Sequence, residues 1–441
     1  MPQSEFIAYI AIDWADSQHY WKLADAEETR REQGHLLHKP EAIDIWVGEL
    51  LARFPQGSVA VCLEQSRGPL VYQLSKYPRL VLYPVHPATL ASYRKAFFPS
   101  GSKSDPGDTG LLLELLLHHR QHLRRLDPDT AETRLLLMLI ELRRRLVDER
   151  TRQSNRLTAW LKMYFPQPLD WIDNIDSPLG CAFLERWPTL EQLQRARAET
   201  IERFFREHNS RSEERIQERV TAIRAALPAV NDQALLQAGT LATTSLVALL
   251  KALNDSIATL DLKIAEQVPK HPEAGLFHGL PGAGPALLPR LIVAFGTRRD
   301  RFQSAAELAA YSGIAPVTRQ SGNSKTVHFR LSCPKFLRQT FQEFAAHSVI
   351  KSVWARQYYE QQRNRGMRHA MIVRSLAFKW IRILFRCWKE RTPYDEERYL
   401  RALERRRAPR NSPSQSSSDE EIRMTDAEVP CPGLARPELP E

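Results

Sequence analysis

Apolar residues run or alternate in four short stretches near the start of the chain, 6–12, 20–24, 59–64 and 80–85, as strands with buried faces require. Helical spacing of apolar residues occupies about 40–54, 69–77 and 87–97. Early strands followed by strands alternating with helices predict an α/β sheet carrying helices on its faces. From about Asp129 the period becomes that of long helices. Asp129 with Glu132 has the form of a capping box, and Leu135, Leu136, Met138, Leu139, Leu142 and Leu146 make the stripe that follows. Pro166 and Pro168 stop this helix, a second is expected over about 189–227 and a third over about 240–268. Together they predict an antiparallel or coiled-coil arm lined by Arg143, Arg144, Arg145, Arg150, Arg152 and Arg156, a spacer or dimerisation element rather than a catalytic one. Residues 335–365 and 368–390 read as helices of a C-terminal domain. Trp354, Tyr358, Trp380 and Trp388 are spaced as core residues, while Arg363, Arg365, Arg368, Arg374 and Lys379 offer a face to nucleic acid.

Composition and charge narrow the partners. The 441 residues suggest two to three domains, and 43% hydrophobic content suffices for real cores. The net charge is +10, but residues 408–441 hold three Arg against seven Asp and Glu, leaving +14 on residues 1–407. A basic folded part suits a polyanion, bound without sequence information. The Ser-, Pro- and acid-rich segment after Arg407 reads as a disordered tail. No run approaches a membrane span and Met1-Pro2-Gln3-Ser4-Glu5 lacks the form of a signal peptide, so a soluble cytoplasmic protein without membrane contact is expected. Cys62, Cys181, Cys333, Cys387 and Cys431 are scattered and lack CxxC spacing, which indicates neither a disulfide framework nor a zinc site.

Four carboxylates carry the candidate chemistry. Asp13 and Glu64 each end an apolar strand, and Asp105 and Asp108, three apart at a helix start, share a face. Two Mg²⁺ ions acting on a phosphodiester need such hard oxygen ligands around the attacking and leaving oxygens. Taken singly, Asp13 also reads as a turn residue and Asp105-Pro106-Gly107-Asp108 as a helix cap with Pro in its first turn. Glu64 is the most telling, because Leu63-Glu64-Gln65-Ser66 has no turn signature. Tyr93-Arg94-Lys95 and Lys103 add cations where a phosphate backbone would run. This order of strands and acids resembles the ribonuclease H-like fold of RuvC-type nucleases.

Two later segments add phosphate-binding chemistry. Leu276 to Leu287, with Gly279-Leu280-Pro281-Gly282-Ala283-Gly284 at its centre, has the form of a helix-hairpin-helix whose turn amides, those of Gly282 and Gly284 among them, can hold a phosphate. Ser321 precedes a glycine in a loop with Arg319, Lys325, His328 and Arg330 around it, so its hydroxyl could approach a phosphate, although a loop serine also reads as an ordinary turn residue. Ser324, three residues on, is a competing nucleophile.

Asp13 in Ala11-Ile12-Asp13-Trp14-Ala15, Glu64 in Cys62-Leu63-Glu64, Asp105 and Asp108 in Lys103-Ser104-Asp105-Pro106-Gly107-Asp108, the glycine turn at 279–284 and the stretch from Gly313-Ile314-Ala315-Pro316 to Gln320-Ser321-Gly322 together resemble the DEDD transposases of bacterial insertion sequence family 110, over about residues 6–390. The resemblance implies a RuvC-like domain binding Mg²⁺ through Asp13, Glu64, Asp105 and Asp108, and a transposase domain in which Ser321 forms a transient phosphoserine link to DNA. It further implies a homo-oligomer, dimer to tetramer, whose composite sites take acids from one protomer and serine from another. A structured noncoding bridge RNA pairing with donor and target DNA would guide it. Pro106-Gly107 and Thr109 depart from the family pattern, where charged residues and a small helix former are usual, and bear on where the helix starts.

The expected division is 1–128 for a RuvC-like catalytic domain, 129–270 for the helical arm, 271–395 for the helix-hairpin-helix and serine domain, and 396–441 for a basic then acidic disordered tail. The leading reading is an RNA-guided DNA recombinase, nucleoid-associated when bound to DNA. A RuvC-like junction nuclease would use the acids and water and need no serine. A noncatalytic nucleic-acid-binding protein would not need four intact acids.

Overall fold

The computed structural model describes residues 5–97, 104–208, 212–322 and 324–407, so Lys103 and the tail beyond Arg407 lie outside the described residues. The chain forms two compact units that divide between Pro128 and Asp129.

The first unit runs β1 (Phe6–Asp13), β2 (Gln18–Asp25), β3 (Arg31–Leu37), α1 (Pro40–Arg53), β4 (Ser58–Leu63), α2 (Pro69–Leu74), β5 (Leu80–Pro84), α3 (Pro87–Phe97) and α4 (Asp105–His118). The sheet order is β3-β2-β1-β4-β5. The first three strands are antiparallel neighbours, and β4 and β5 run parallel to β1. Parallel strands buried on both faces read as unbroken apolar runs, which is why β1, β4 and β5 stand out in the sequence. Strand β3 does not, since only Leu36 of Arg31–Leu37 is buried. Its Gly34 instead seats the Trp21 ring, whose nearest atom lies 2.9 Å from where a β-carbon would stand. Ile10, Ile12, Val61 and Leu63 pack under α1 and α2, whereas Ala11, Ala60 and Cys62 pack under α3 and α4.

The second unit begins with α5 (Ala131–Tyr164), α6 (Pro168–Trp171), α7 (Pro178–Arg186), α8 (Leu190–Arg195), α9 (Ala198–Glu207), α10 (Glu213–Ala225) and α11 (Gln233–Gln267). Helices α5 and α11 lie antiparallel, tied by Arg143 to Asp261 at 3.1 Å and by Tyr164 Oη to Thr243 Oγ1 at 2.8 Å. The cap of α5 is Thr130, whose hydroxyl accepts the Thr133 amide. The expected cap, Asp129, holds the Thr297 amide at 3.2 Å instead. The single helix expected over 189–227 is three short ones, α8, α9 and α10. Thr189 and Ser212 cap new starts, and Phe204, Phe205 and Ile223 join Phe183 and Trp187 in a core of their own. By length and composition helix α11 with the turn to Lys270 could cross a membrane, a test that the core helix of a soluble protein also passes. Here Val247 and Leu250 of that stretch join the core at the end of the helix pair.

The unit continues with α12 (Ala274–Phe277), α13 (Leu288–Phe295), α14 (Ala305–Tyr311), β6 (Val317–Ser321), β7 (Ser324–His328), α15 (Lys335–Lys351), α16 (Val353–Asn364), α17 (His369–Glu390) and α18 (Glu396–Arg407). Trp354, Trp380 and Trp388 are buried in its core, as their spacing predicts. Their indoles donate to Tyr394 Oη, Ser348 Oγ and the Gly296 carbonyl, each at 2.8 Å, so the buried N–H groups are satisfied. Residues 396–407, expected at the head of a disordered tail, form α18. The Glu396 carboxylate accepts from Ser352 Oγ and the Val353 amide at 2.8 Å, and Tyr399, Leu400 and Leu403 pack on the core.

Candidate active site

Register brings the first two acids together. Ile12 pairs with Leu63 across parallel strands, so Asp13 and Glu64 follow side by side, with Cα atoms about 5 Å apart. Alternation then sets their face. Ala11 and Cys62 pack under α4, and Asp13 and Glu64, two residues further along each strand, share that face. Helix α4 packs on β1, β2 and β4. Its N-cap is Ser104, whose hydroxyl accepts the Gly107 amide at 3.3 Å, and Pro106 occupies the first turn, where no amide donor is needed. Asp105 therefore opens the helix exposed, while Asp108 lies one turn in, 3% exposed, on the stripe that continues into Leu111, Leu112 and Leu115.

Asp108 is held by a cation. Arg94 of α3 donates Nε–H and Nη2–H to its Oδ1 at 2.7 and 2.6 Å. Arg94 is thus committed to an acid and not presented to a phosphate backbone, as its position beside the acids suggested. Among the described residues no three His, Cys, Asp or Glu side chains converge closely enough to hold a metal ion as they stand. The donor set remains chemically suited to a hard divalent cation, with two neighbouring carboxylates at the strand ends and a third on the helix above. Sequence reasoning passed over Lys22. It pairs with Ala11 in the sheet, and its Nζ lies 3.2 Å from where a β-carbon on Gly110 of α4 would stand. A lysine at an inward position of the alternating Tyr20-Trp21-Lys22-Leu23-Ala24 run was the available signal.

The segment around Ser321 is a β-hairpin rather than a loop. Val317 pairs with His328, Arg319 with Thr326 and Ser321 with Ser324. Directly paired residues share a face, so Ser321 looks the same way as Arg319, Ser324, Thr326 and His328, and Lys325 looks the other way. Every described residue from Thr318 to His328 is exposed. Arg330, below the hairpin, donates Nε–H to the Ala315 carbonyl at 3.3 Å. The acids belong to the first unit and Ser321 to the second.

The glycine turn joins α12 to α13, with Gly279 and Gly282 at φ +81° and +88°. Gly282 has a packing reason for being glycine. A β-carbon there would stand 2.8 Å from the His347 carbonyl carbon and 2.9 Å from the Ser348 nitrogen, both backbone. Gly284 has open space around it.

Residues 10–166 match a family model for the DEDD transposases of IS110, and residues 274–360 match one described as transposase of the IS116/IS110/IS902 family. The first match takes in all four acids and the second takes in Ser321. A mini-circle putative transposase for IS117 from Streptomyces coelicolor is 28% identical over 438 residues, covering 91% of this chain and 99% of the relative. An IS110 protein of the same organism is 26% identical, over 68% of this chain and 73% of its own length. A pilin gene-inverting protein of Moraxella bovis is 31% identical, over 32% of this chain and 46% of its own length. The chain belongs to the IS110 family of transposases.

Proposed function

We propose that this transposase cuts and rejoins insertion-sequence ends and target DNA by attack of Ser321 on the phosphodiester, with Asp13, Glu64, Asp105 and Asp108 holding two Mg²⁺ ions. The observation that carries the reading is the adjacency of Asp13 and Glu64 on the sheet face that α4 covers with buried Asp108. Three parallel strands, β1, β4 and β5, extended on the β1 side by antiparallel β2 and β3, with an acid ending β1, support a ribonuclease H-like first domain. We take the remaining domains as divided near residues 270 and 395.

In the chemistry, the Ser321 Oγ–P bond forms as one P–O bond of the DNA strand breaks. The hydroxyl proton leaves Ser321, and the departing DNA oxygen takes one up. The number of P–O bonds is unchanged, so a second DNA hydroxyl can reverse the step without nucleotide hydrolysis. Arg319, beside Ser321 on the same face of the hairpin, is set to hold a non-bridging phosphate oxygen. Bound Mg²⁺ would stabilise the developing charge and lower the pKa of the attacking hydroxyl. For Asp108 to join the ligand set, Arg94 must release it.

Exposed Leu135, Met138 and Leu142, spaced three and four apart on α5, support assembly into a homo-oligomer, which would bring acids and serine of different protomers together. The excess of positive charge supports a nucleic-acid partner, and we propose that a structured noncoding guide RNA chooses the donor and target DNA.

The test is a denaturing gel of protein with labelled element-end DNA in Mg²⁺. Wild type should form a covalent adduct. Ser321→Ala should lose the adduct and strand exchange while still binding DNA, and Ser324→Ala should keep both. Asp13→Asn and Glu64→Gln should cleave at least a hundredfold more slowly, through loss of a charged ligand. Cleavage by wild type with no adduct would favour a hydrolytic junction nuclease. An adduct persisting in Ser321→Ala but lost in Ser324→Ala would move the nucleophile.

A further inference from the structure

At the foot of the hairpin, just after β7, Phe329 lies beneath two guanidinium groups. The central carbon of Arg338, from α15, is 4.8 Å from its ring centre, and that of Arg374, from α17, is 4.3 Å from it. Arg338 donates to the Arg330 carbonyl at 3.2 Å, and Arg330 in turn donates to the Ala315 carbonyl, which ties the pair to both ends of the hairpin. Half-buried arginines are ordinarily paired with carboxylates, as Arg290 is with Glu343 and Arg299 with Glu273 nearby. Among the described residues no carboxylate pairs with Arg338 or Arg374, and the Nε–H of Arg374 is sealed from solvent with no acceptor. Burial and the neighbouring Arg338 charge push the Arg374 guanidinium below its usual pKa. Two like charges are therefore held together over one ring with a donor unsatisfied. The like-charge pair is costly for the free protein and is eased by a neighbouring anion.

We propose that Arg338 and Arg374 grip a backbone phosphate of the DNA strand whose scissile bond lies against Ser321, an inference whose register rests on Ser321 being the nucleophile. Guanidinium groups suit phosphate because their paired N–H groups match two of its oxygens. The hairpin sets the spacing. From the Val317 and His328 end to the Ser321 and Ser324 end is four residue steps, about 13 Å at strand rise. A B-form strand winds about its axis as it rises 3.4 Å per nucleotide, so a straight span of about 13 Å joins phosphates roughly two nucleotides apart, and the gripped phosphate lies that far from the scissile one. Exposed Arg319 falls between the two points.

The experiment uses full-length protein in a Ser321→Ala background, so that bound DNA stays intact, with Arg338→Met, Arg374→Met and the double exchange. Probes are a labelled element-end duplex and a single-stranded RNA of equal length. Each single exchange should weaken DNA binding about tenfold, the double should lower the slope of log affinity against log salt by about 0.9, and RNA binding should hold. A neutral methylphosphonate about two nucleotides from the cleavage point should weaken binding by the parent but not by the double variant. Unfolding midpoints should stay level or rise, because an unpaired charge pair is removed. Arg374→Lys and Arg338→Lys, which keep the charge and fold but lose the forked donor, should bind DNA with intermediate affinity. DNA affinity and salt slope unchanged in the double variant would overturn the proposal, and loss confined to RNA would overturn the DNA assignment. Methylphosphonate interference without any wild-type adduct would sink the serine reading and leave the phosphate grip standing.

Discussion

Replacing Arg94 with glutamine tests whether Asp108 is a metal ligand kept in reserve. The side chains of Asp108 and Arg94 are 4% and 18% exposed, so removing the arginine strands a carboxylate in a site that water barely reaches. Breaking a buried pair costs about 3–5 kcal/mol, and the partial exposure of Arg94 reduces this to roughly 2–4 kcal/mol. At about 1.4 kcal/mol per decade, amide exchange at Ala11, Ile12, Cys62 and Leu63 should quicken between about 30- and 1,000-fold in EDTA. These amides lie in β1 and β4 and report the first unit alone. Mg²⁺ should then protect the variant more than the wild type, since in the wild type the ion must first displace Arg94. A hundredfold excess over the dissociation constant returns about 2.7 kcal/mol. Arg94→Lys should lie between the two. If Mg²⁺ protects wild type and variant equally, or neither, Arg94 and the ion do not compete for Asp108, and that carboxylate is a structural partner of α3.

Two further outcomes follow from buried groups. His19 is fully buried, its Nδ1 accepts the Ala15 amide at 3.2 Å and its ring bonds His38 at 2.8 Å. Burial and the neighbouring His38 charge lower its pKa to about 4. The unfolded chain takes up this proton first, so the contribution is complete above about pH 6.5 and is lost as pH falls to about 4. It amounts to at most about 3 kcal/mol. His19→Gln should flatten the fall of unfolding free energy over that window, and an unchanged slope would remove His19 as its source. Gly282→Ala should destabilise by roughly 2–4 kcal/mol, through a positive φ and a clash with the His347 backbone, while Gly284→Ala should cost under about 1 kcal/mol. Equal denaturant midpoints for the two would contradict the packing described at the turn.

The sequence by itself determined the elements whose signal is local. Apolar runs marked β1, β4 and β5 because a buried parallel strand must be apolar on both faces, and the acids stood out because a carboxylate ending such a run is locally unexplained. The spacing of Trp354, Trp380 and Trp388 marked the core of the second unit in the same way. Tertiary structure decided what depends on a partner distant in the chain. Strand β3 is an edge strand with one buried residue, so it leaves no alternation to read. Asp129 looked like a cap because the capping pattern is a four-residue signal, and Thr297, far along the chain, claimed it. The 189–227 segment kept a helical period throughout, yet bends that bury Phe204 and Phe205 beside Phe183 broke it into separate helices. Helix α18 carries the charge of a solvated tail, and only the acceptors on Glu396 and the contacts of Tyr399 and Leu403 fix it. At the site, sequence named Asp108 and Arg94 without joining them, since a helix-to-helix ion pair has no periodicity. Hairpin pairing alone sets Ser321 opposite Ser324 and on the face of Thr326 and His328, because register fixes which residues of two strands share a face.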